Sequence, residues 1–440
     1  MPDDRAVATD AFEETWTAKE ITILAESGGR AGRRLTRLGT PRRVAAAMRI
    51  SGLRIRRLQT TLARPMGPRG DVGYGVFHHT GSEHQQVAVV EVETDVGLTG
   101  VTVMSIRGEE GVEYLAGAVA PVLLGRDPTA IRRRLSELRA LDPYDRGVVN
   151  HLEFALWDLL GKEQNLPVFR LLGAGAAAPS IQVYAGGGSL AFGPIEEVIA
   201  EARRLKDRGF RAIKLKVGHG PEEDLHLVAH AREAIGDELL LAVDANRAYS
   251  LPDAVVLAEG MTQFGVAWFE EPLLYAKQAD DSSLWSCTRV DSRGLDDYRS
   301  LRAATRTPIA GAEGFTDYGL TSRLLTSGCL DVLQSDAGAL GLIGMLSMLE
   351  QARLYGVGFT GHVTNNICGF IASLHLQALT RQSVAQECET IDSPFFHTIF
   401  VDFPRLLPSG RMAVPSGPGL GVVLNEETCA TYGVAEEKVA

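Results

Sequence analysis

Several features that mark particular classes of protein are missing from this chain of 440 residues. No run of about 18 uncharged apolar residues occurs, which is the length that a membrane-spanning helix needs, so we expect no membrane partner. An excess of positive charge is also missing: the formal net charge is -11, which argues against a surface for nucleic acids. The expected partner is therefore a small molecule.

Cysteine is scarce and lacks the spacing of a metal or disulfide site. The five cysteines include no CxxC pair, so a structural zinc site and a disulfide framework have little support, and free thiols in a reducing compartment are expected. The first residues contain no apolar segment typical of a secretory signal, which predicts a cytoplasmic protein. Residues 1–47 are predicted to form a flexible extension, with a functional arm as the alternative.

The hydrophobic pattern divides the remaining chain into two domains. From Met48 onward, short apolar runs separated by turns predict strands, and amphipathic helices follow, so residues 48–178 are expected to form an α+β domain. Residues 179–395 alternate strand and helix patterns in seven visible units and a fainter eighth. This alternation indicates the α/β class and favours a closed (β/α)8 TIM-type barrel over an open sheet.

Ionisable residues stand where six consecutive strands of the predicted barrel end. The second strand ends in Lys214-Leu215-Lys216, so its two lysines point to the same face. The following strands end in five more ionisable residues: Asp244, Glu270, Glu313, Asp336 and His362. One such residue alone is typical of a solvated loop, but six successive charged strand ends indicate an active site, because reactive groups of barrels lie at this end.

Asp244, Glu270 and Glu313 come from adjacent strands and are predicted to bind a metal ion. Three carboxylates so close together would repel one another strongly unless a cation lay between them. A set of oxygen ligands favours Mg²⁺ or Mn²⁺ over zinc or copper. A carboxylate substrate bound to this cation would have a more acidic α-proton, because the cation stabilises the enediolate.

Acid and base groups are expected on both sides of this cation. Lys214 and Lys216 lie on one side, and Asp336 with His362 lies on the other. We expect the positive charges of Lys214 and the cation to lower the pKa of Lys216, so that this lysine can accept a proton near neutral pH.

Five segments carry a resemblance to a known family. FRAIKLKVG, VDANRAY, WFEEP and GAEG follow one another in the predicted barrel, and ALWDLLGKEQNLPVFRLLG precedes them. Over about residues 48–425 the chain resembles the enolase superfamily, and most closely its mandelate racemase subgroup. The resemblance implies a modified (β/α)8 barrel with an N-terminal α+β cap, a C-terminal segment (396–440) that packs back on the cap, and a homo-oligomer between dimer and octamer.

The resemblance also implies roles for individual residues. Lys216 becomes the base on one face of the substrate, with Lys214 near the substrate carboxylate. Asp336 orients His362, which acts as the opposite base or as the acid for a leaving hydroxide. The metal ligands are Asp244, Glu270 and Glu313, with Glu270 rather than its neighbour Glu271 facing the ion.

Three further polar residues are predicted around the substrate. The family has a glutamate at the end of the eighth strand that hydrogen-bonds the substrate carboxylate, and the segment AQECET offers Glu387 and Glu389. Glu387 is favoured because it follows the short apolar run more closely. Asn246 is expected at the substrate site or behind it, orienting a metal ligand or a lysine.

The preferred function, by the same resemblance, is Mg²⁺-dependent dehydration of a sugar acid to a 2-keto-3-deoxy acid. Relatives with both the lysine pair and the histidine–aspartate dyad resemble acid-sugar dehydratases. Racemisation or epimerisation and lactone cycloisomerisation are the alternatives within enzymes, and a non-catalytic binding protein is a remote one. The sequence after His362 and the long polar stretch from Ala276 to Gly294 identify no substrate; the latter is expected to form a rim loop or an oligomer contact.

Other motifs are interpreted as structural. His78, His79 and His84 match no common metal-site spacing and are expected in a surface turn, with a substrate contact as the alternative. The segment Gly338–Gly344 fits the pattern GxxGxxG but lacks the strand–turn–helix context of a dinucleotide site. His375 lies on an apolar helix face and is expected in the core or at an interface.

Overall fold

An antiparallel sheet forms the cap of the computed structural model, which describes residues 48–66, 82–105, 108–141, 146–175, 179–186, 194–276, 289–363, 366–381, 383–390 and 393–440. Three of its strands are consecutive: β1 (Ile50–Met66), β2 (Ser82–Thr94) and β3 (Thr99–Ser105). The strand β13 (Gly433–Val439) joins them from the far end of the chain and pairs with β1, giving the order β13-β1-β2-β3. The C-terminal segment thus contributes a strand to the cap sheet.

Both faces of the sheet are buried at β2, which explains the nearly continuous apolar run of this strand. Successive side chains of a strand point to opposite faces. Ala88, Val90 and Val92 pack in the core of the cap. Val87 and Val89 belong instead to the large core that includes the barrel. Cap and barrel are therefore packed together through the second face of the sheet.

Eight parallel strands form the barrel. They are β4 (Ser180–Gly186), β5 (Ala212–Lys216), β6 (Leu240–Asp244), β7 (Val266–Glu270), β8 (Ile309–Gly311), β9 (Val332–Asp336), β10 (Gly358–His362) and β11 (Ser383–Glu389). Neighbours in the chain are neighbours in the sheet, and β11 pairs with β4 to close it, with Glu387 opposite Tyr184. The predicted α/β class, (β/α)8 barrel and N-terminal α+β cap are confirmed. A short strand, β12 (Arg411–Ala413), adds to β4 in antiparallel orientation.

Helices surround both parts. Those of the cap are α1 (Gly108–Tyr114), α2 (Ala120–Leu123), α3 (Ile131–Arg139), α4 (Arg146–Gln164) and α5 (Val168–Leu171), with a π-helical turn at Leu115–Val119. Those of the barrel are α6 (Ile195–Asp207), α7 (Pro221–Ile235), α8 (Leu251–Met261), α9 (Ser292–Ala304), α10 (Tyr318–Thr326), α11 (Ala337–Tyr355) and α12 (Ile367–Gln377). The last two are α13 (Pro394–Thr398) and α14 (Glu426–Tyr432), and a 3-10 turn at Thr262–Phe264 follows α8.

Polar residues at the ends of strands and loops start several barrel helices. Asp317, Asp336 and Asn366 each accept a hydrogen bond from a backbone N–H of the helix that follows. Such side chains satisfy N–H groups that have no partner inside the helix. Asp336 therefore ends β9 and caps α11 at the same time.

Large and small side chains together fill the interior of the barrel. Tyr184 and Trp268 are fully buried and stack edge-to-face, with ring centroids 5.2 Å apart. The other members of this cluster are small: Ala212, Ala242, Ala310, Val332 and Ala385. Lys214, Asp244 and Glu270 each follow a member of this cluster by two residues in the same strand, so these polar side chains lie next to an apolar layer of the barrel interior.

Asp158 of α4 joins the cap to the rest of the chain. Its buried carboxylate accepts hydrogen bonds from the backbone N–H of Val101 in β3 at 3.1 Å and of Leu420 at 2.9 Å. Lys162 lies 2.6 Å away and compensates its charge. This residue belongs to ALWDLLGKEQNLPVFRLLG, the segment before the barrel that carries part of the family resemblance.

Several predictions concern small features outside the active site. His375 is buried, accepting from the N–H of Phe169 at 3.2 Å and lying 3.1 Å from the carbonyl oxygen of Leu420, as expected for a core histidine. Cys329, Cys368, Cys388 and Cys429 are free and buried. Among the described residues, no helix is both long and apolar enough to cross a membrane.

Some predicted features lie outside the described residues. They are the extension 1–47, the histidines at 78 and 79 with the side chain of His84, Cys287 and most of the polar stretch, residues 277–288, and residues 364 and 365 after the dyad histidine.

Candidate active site

The predicted polar strand ends meet at one rim of the barrel. Asp244, Glu270 and Glu313 are buried, and one oxygen of each lies within 4.8 Å of the others. Glu313 Oε2 is buried and accepts no hydrogen bond. Burial and the neighbouring carboxylates raise the pKa of Glu270 to about 8. A divalent cation would relieve this repulsion, and three buried carboxylates are the donors that Mg²⁺ prefers, so the residues present fit such an ion.

Lys214 links this group to the eighth strand. Its fully buried Nζ donates to Glu270 Oε1 at 2.6 Å and lies 3.2 Å from Glu387 Oε1. It also lies 5.5 Å from the centre of the Tyr184 ring. Burial alone would lower the pKa of Lys214, but these carboxylates outweigh it and raise the pKa well above its usual value. Lys214 is therefore held as a fixed positive charge among the acids.

Lys216 lies at the Asp244 end of the carboxylate group. Its Nζ hydrogen-bonds Asp244 Oδ2 and donates to Asn246 Oδ1 at 2.7 Å. Burial is the largest influence and lowers its pKa, and Lys214 lowers it further as predicted, but Asp244, Glu313 and Glu270 together outweigh both, so the net shift is upward. The predicted net lowering of the Lys216 pKa is therefore wrong for the protein groups alone, because the sequence did not show how close Asp244 lies. A lowered pKa would need the charge of the cation.

Asn246 supports both of its neighbours. Its backbone N–H donates to Asp244 Oδ1 at 2.9 Å, and its side-chain oxygen accepts from Lys216. This placement agrees with the expectation that it orients a metal ligand or a lysine. Its buried Nδ2 makes no hydrogen bond. A contact between this nitrogen and a substrate stays a prediction.

The dyad occupies the opposite end of the carboxylate group. His362 Nδ1 lies 2.8 Å from Asp336 Oδ2, so Nε2 faces the centre of the site, 3.2 Å from Glu313 Oε2. Burial would lower the pKa of His362, but the carboxylates of Glu313, Glu387 and Asp336 raise it to about 10. The aspartate fixes the ring so that one nitrogen is presented to the site.

Glu387, rather than Glu389, contacts Lys214 and His362. Its Oε2 lies 3.6 Å from His362 Nε2 and accepts the N–H of Val363 at 3.2 Å. Glu389 Oε1 accepts the N–H of Thr390. A Cβ at Gly186, on the neighbouring strand, would lie 2.2 Å from Glu387 Oε1, so glycine there makes room for this carboxylate.

Comparisons with known families decide the identity of the chain. Residues 76–173 match the model of the mandelate racemase / muconate lactonizing enzyme N-terminal domain. Residues 197–428, more than half of the chain, match the enolase C-terminal domain-like model. The chain belongs to the mandelate racemase / muconate lactonizing enzyme family of the enolase superfamily. The resemblance found in the sequence is confirmed.

Curated members of this family include sugar-acid enzymes similar to the chain. The D-galactarolactone cycloisomerase of Agrobacterium fabrum is 31% identical over 70% of this chain and 82% of its own length. The L-talarate/galactarate dehydratase of Salmonella typhimurium is 28% identical over 78% and 81%. Both are enzymes, and they differ in reaction class.

Solved structures of family members share the fold. The 3,6-anhydro-D-galactonate cycloisomerase from Zobellia galactanivorans matches with a TM-score of 0.71 and 26% identity, over 88% of this chain and all of that one (100%). The L-talarate dehydratase from Polaromonas sp. JS666, complexed with Mg and L-glucarate, matches with a TM-score of 0.72 and 25% identity, over 89% and 99%. That relative binds a sugar acid and magnesium together.

In this family member, strained backbone surrounds the predicted metal-ligand positions, a feature that sequence reasoning missed. Left-handed φ angles occur at Asn246 (43°), Arg247 (68°), Glu271 (37°) and Ala312 (79°). Each lies within three residues of Asp244, Glu270 or Glu313 in the chain. Residues without glycine's freedom adopt such angles only where the surroundings hold them, and they cluster at active sites.

Glu271 helps to hold these strained loops together. Its carboxylate lies 3.1 Å from Arg247 Nε and accepts from the Tyr275 hydroxyl at 3.1 Å. The Tyr275 hydroxyl in turn accepts the N–H of Ala312 at 2.8 Å. The second glutamate of WFEEP thus connects the loops after β6, β7 and β8. The double glutamate was the one sequence signal for this role of Glu271. Successive residues at a strand end point to opposite faces, so the two acids are expected to contact different partners.

Replacing Glu271 with glutamine is expected to lower the free energy of unfolding by about 2 kcal/mol, because the largely buried Arg247 loses its charged partner. Urea unfolding followed by circular dichroism measures this change. Mg²⁺ affinity, measured by calorimetry, is expected to stay unchanged because Glu271 does not face the carboxylate group. A lost Mg²⁺ signal in a folded variant would show that the assignment of Glu270 over Glu271 is incorrect.

Proposed function

We propose that this chain is a Mg²⁺-dependent enzyme that removes the α-proton of a sugar-acid carboxylate and eliminates the 3-hydroxyl, which gives a 2-keto-3-deoxy acid. The observation that carries the proposal is the arrangement at the rim. Lys216 contacts Asp244 at one end of the carboxylate group, and His362 contacts Glu313 at the other. Two proton-transfer groups therefore flank one cation-binding centre.

Asp244, Glu270 and Glu313 are the proposed ligands of Mg²⁺. The relatives support this ion, because the Polaromonas dehydratase is complexed with Mg and L-glucarate. When bound, the cation supplies positive charge beside the substrate carboxylate and so makes the neighbouring C–H more acidic. Lys214 adds a fixed positive charge on the same side, since it lies between Glu270 and Glu387.

Lys216 is the proposed base for the α-proton. Its Nζ is held by Asp244 and Asn246, so it approaches the substrate from the side of β5 and β6. Lys216 can act as a base only in its neutral form, and the negative charge of Asp244 opposes the loss of a proton from its ammonium group. Positive charge at the carboxylate group would weaken this opposition, so the base and the metal site are expected to act together.

His362 is the proposed acid for the leaving hydroxyl. Its Nδ1 is occupied by Asp336, and only Nε2 faces the site. When the α-proton moves to Lys216, the electron pair of the C–H bond moves into the substrate carboxylate and gives an enediolate, which then forms a double bond between C2 and C3. The C3–O bond breaks, Nε2 donates its proton, and the hydroxyl departs as water. The resulting enol then becomes the 2-keto acid.

Glu387 is proposed to orient the substrate carboxylate. It lies between the fixed positive charge of Lys214, which it contacts through Oε1, and the proposed acid His362, which it contacts through Oε2. Burial would raise its pKa, but these cations lower it, so it is ionised unless its surroundings change. Glu387 would have to be protonated to donate a hydrogen bond to a substrate oxygen.

Lactone cycloisomerisation is a second candidate, because a relative at 31% identity is a D-galactarolactone cycloisomerase. The first step is the same removal of an α-proton. The group that leaves is then the ring oxygen of the lactone instead of a hydroxyl, and it stays within the molecule. Product mass therefore separates the two reactions.

Incubation with Mg²⁺ and a panel of aldonic acids, aldaric acids and their lactones tests the proposal. Dehydration is expected to give a keto acid one water lighter than its substrate, seen by mass spectrometry and by semicarbazone absorbance. A lactone that changes structure without changing mass would establish cycloisomerisation instead. Solvent deuterium at C2 without any keto product would identify a racemase or epimerase. No exchange with any acid, together with no thermal shift with Mg²⁺, would support a binding protein.

A further inference from the structure

The glycine-rich segment Gly338–Gly344 follows the dyad aspartate and takes no part in the chemistry above. Asp336 Oδ1 accepts hydrogen bonds from the N–H groups of Gly338 at 2.6 Å and Ala339 at 3.1 Å. Its other oxygen, Oδ2, lies 2.8 Å from His362 Nδ1. One carboxylate is therefore shared between the segment and the imidazole. A shift of the segment would move the oxygen that orients His362.

Helix α4 of the cap holds both ends of this segment. Asn150 Nδ2 donates to the carbonyl oxygen of Ala339 at 2.6 Å. Glu153 Oε1 accepts the N–H of Ile343 at 2.8 Å. Asn150 and Glu153 are three residues apart, so they lie on the same face of α4, and both are buried. The Trp157 indole N–H donates to the same Glu153 oxygen at 3.0 Å and fixes its orientation.

Gly341 allows the close approach of the segment to α4. Its backbone has φ 69° and ψ 175°, which is a region that glycine alone adopts readily, and it interrupts the helical geometry of α11. A Cβ at this position would lie 2.1 Å from Glu153 Oε2. The GxxGxxG pattern therefore serves contact with a cap helix, and it explains why α11 turns sharply after the dyad aspartate.

We propose that Asn150 and Glu153 are positioning residues for the Asp336–His362 dyad. The cap helix holds the segment, the segment holds one oxygen of Asp336, and the other oxygen holds the imidazole. The inference rests on the proposed function, because the dyad is taken to act in catalysis. It assigns the cap a direct part in setting the geometry of a barrel group, although Glu153 and Asp336 are 183 positions apart in the sequence.

The environment of Glu153 indicates that this carboxylate does more than stabilise the fold. Burial raises its pKa to about 7, and Oε2 makes no hydrogen bond. A buried acid with one unsatisfied oxygen stabilises a fold less well than an apolar residue of similar shape. What Glu153 supplies is an acceptor fixed opposite the N–H of Ile343.

A double-mutant cycle between Glu153→Ala and Asp336→Ala tests the inference on the full-length enzyme. In the wild-type background, Glu153→Ala is expected to lower kcat by about 10- to 100-fold with little change in KM, the range seen when groups that orient an active-site residue are removed. In the Asp336→Ala background it is expected to cause no further loss. Glu153→Gln, which keeps an oxygen in reach of Ile343, is expected to restore most of kcat.

Asp158→Asn is the matched control, because Asp158 is a buried carboxylate of the same helix that binds Val101 and Leu420 instead of the segment. It is expected to lower the melting temperature while leaving kcat and its dependence on Asp336 unchanged. Additive losses of kcat for Glu153→Ala and Asp336→Ala would overturn the inference. Asn150→Ala replaces Glu153→Ala in the cycle if the latter does not fold.

A crystal structure of the Glu153→Ala or Asn150→Ala variant separates this inference from the proposed function. If the wild type turns over no sugar acid or lactone, the proposed function fails, but the geometry can still be measured. The distance from Asp336 Oδ2 to His362 Nδ1 is then expected to exceed the hydrogen-bond limit of about 3.5 Å. A dyad that keeps its wild-type separation of 2.8 Å in the variant would contradict the inference.

Discussion

Replacing His362 with asparagine is expected to lower kcat for keto-acid formation by about 10²- to 10⁴-fold, the contribution typical of a positioned acid or base. Asparagine can still donate a hydrogen bond to Asp336, but it cannot transfer a proton to a leaving hydroxyl. The rate is measured by the appearance of the 2-keto-3-deoxy product under saturating substrate and Mg²⁺.

The same variant also separates the two faces of the site. Lys216 is untouched, so exchange of the α-proton with solvent is expected to continue while elimination stops. His375→Asn is the matched control, because this buried histidine bonds Phe169 and Leu420 in the core. It is expected to reduce stability and leave the ratio of exchange to elimination unchanged. Normal keto-acid formation by His362→Asn would remove His362 from the mechanism.

Replacing Glu313 with glutamine is expected to weaken Mg²⁺ binding by at least about 100-fold, because one of the three proposed anionic ligands is lost. Mutation of residues that only support metal ligands already lowers metal affinity by about 10- to 100-fold, so the loss of a ligand should cost at least as much. Turnover is expected to fall with it. Glutamine preserves the shape of the side chain, and the contact with a charged neighbour that it weakens is that of Glu313 Oε2 with His362 Nε2 at 3.2 Å. Isothermal calorimetry with Mg²⁺ measures the affinity.

Without Mg²⁺ the same substitution is expected to raise the melting temperature. Burial raises the pKa of Glu313, and although His362 opposes this shift, the neighbouring carboxylates add to it, so the folded state on balance disfavours the charge of Glu313. A neutral side chain relieves that cost, which is the pattern of a site that sacrifices stability for function. Glu271→Gln is the control, since it removes a neighbouring buried carboxylate and should leave Mg²⁺ binding intact. A Glu313→Gln protein that binds Mg²⁺ normally would contradict the ligand assignment.

The barrel was predictable because its strands are buried on both faces. Segments such as AIKLK and LLAVD are nearly continuous in apolar residues up to the point where a charged residue ends them, and closure of the barrel then brings those ends to one rim. The family resemblance supplied the choice of Glu270 over Glu271. The contacts of Glu387 with Lys214 and His362 agree with the preference for Glu387 over Glu389.

Features that depend on contacts between distant parts of the chain were not predictable. The sequence does not show that β13 pairs with β1, because its exposed, charged residues lack a buried strand pattern. The upward shift of the Lys216 pKa depends on the short contact with Asp244, which no spacing reveals. The roles of Asn150 and Glu153 require the cap helix to be placed against the segment after β9, and a pattern within one helix carries no such information.

The central claim is that this chain removes the proton next to a carboxylate with the help of a divalent cation. It is tested most directly with sugar acids that carry deuterium at C2, by following the release of the label into water with Mg²⁺ and with a chelator. The label is expected to leave at least one aldonate or aldarate when Mg²⁺ is present, and to stay in place with the chelator or in a Lys216→Met, His362→Asn double variant. Retention of the label in every acid by a protein that binds Mg²⁺ would contradict the claim.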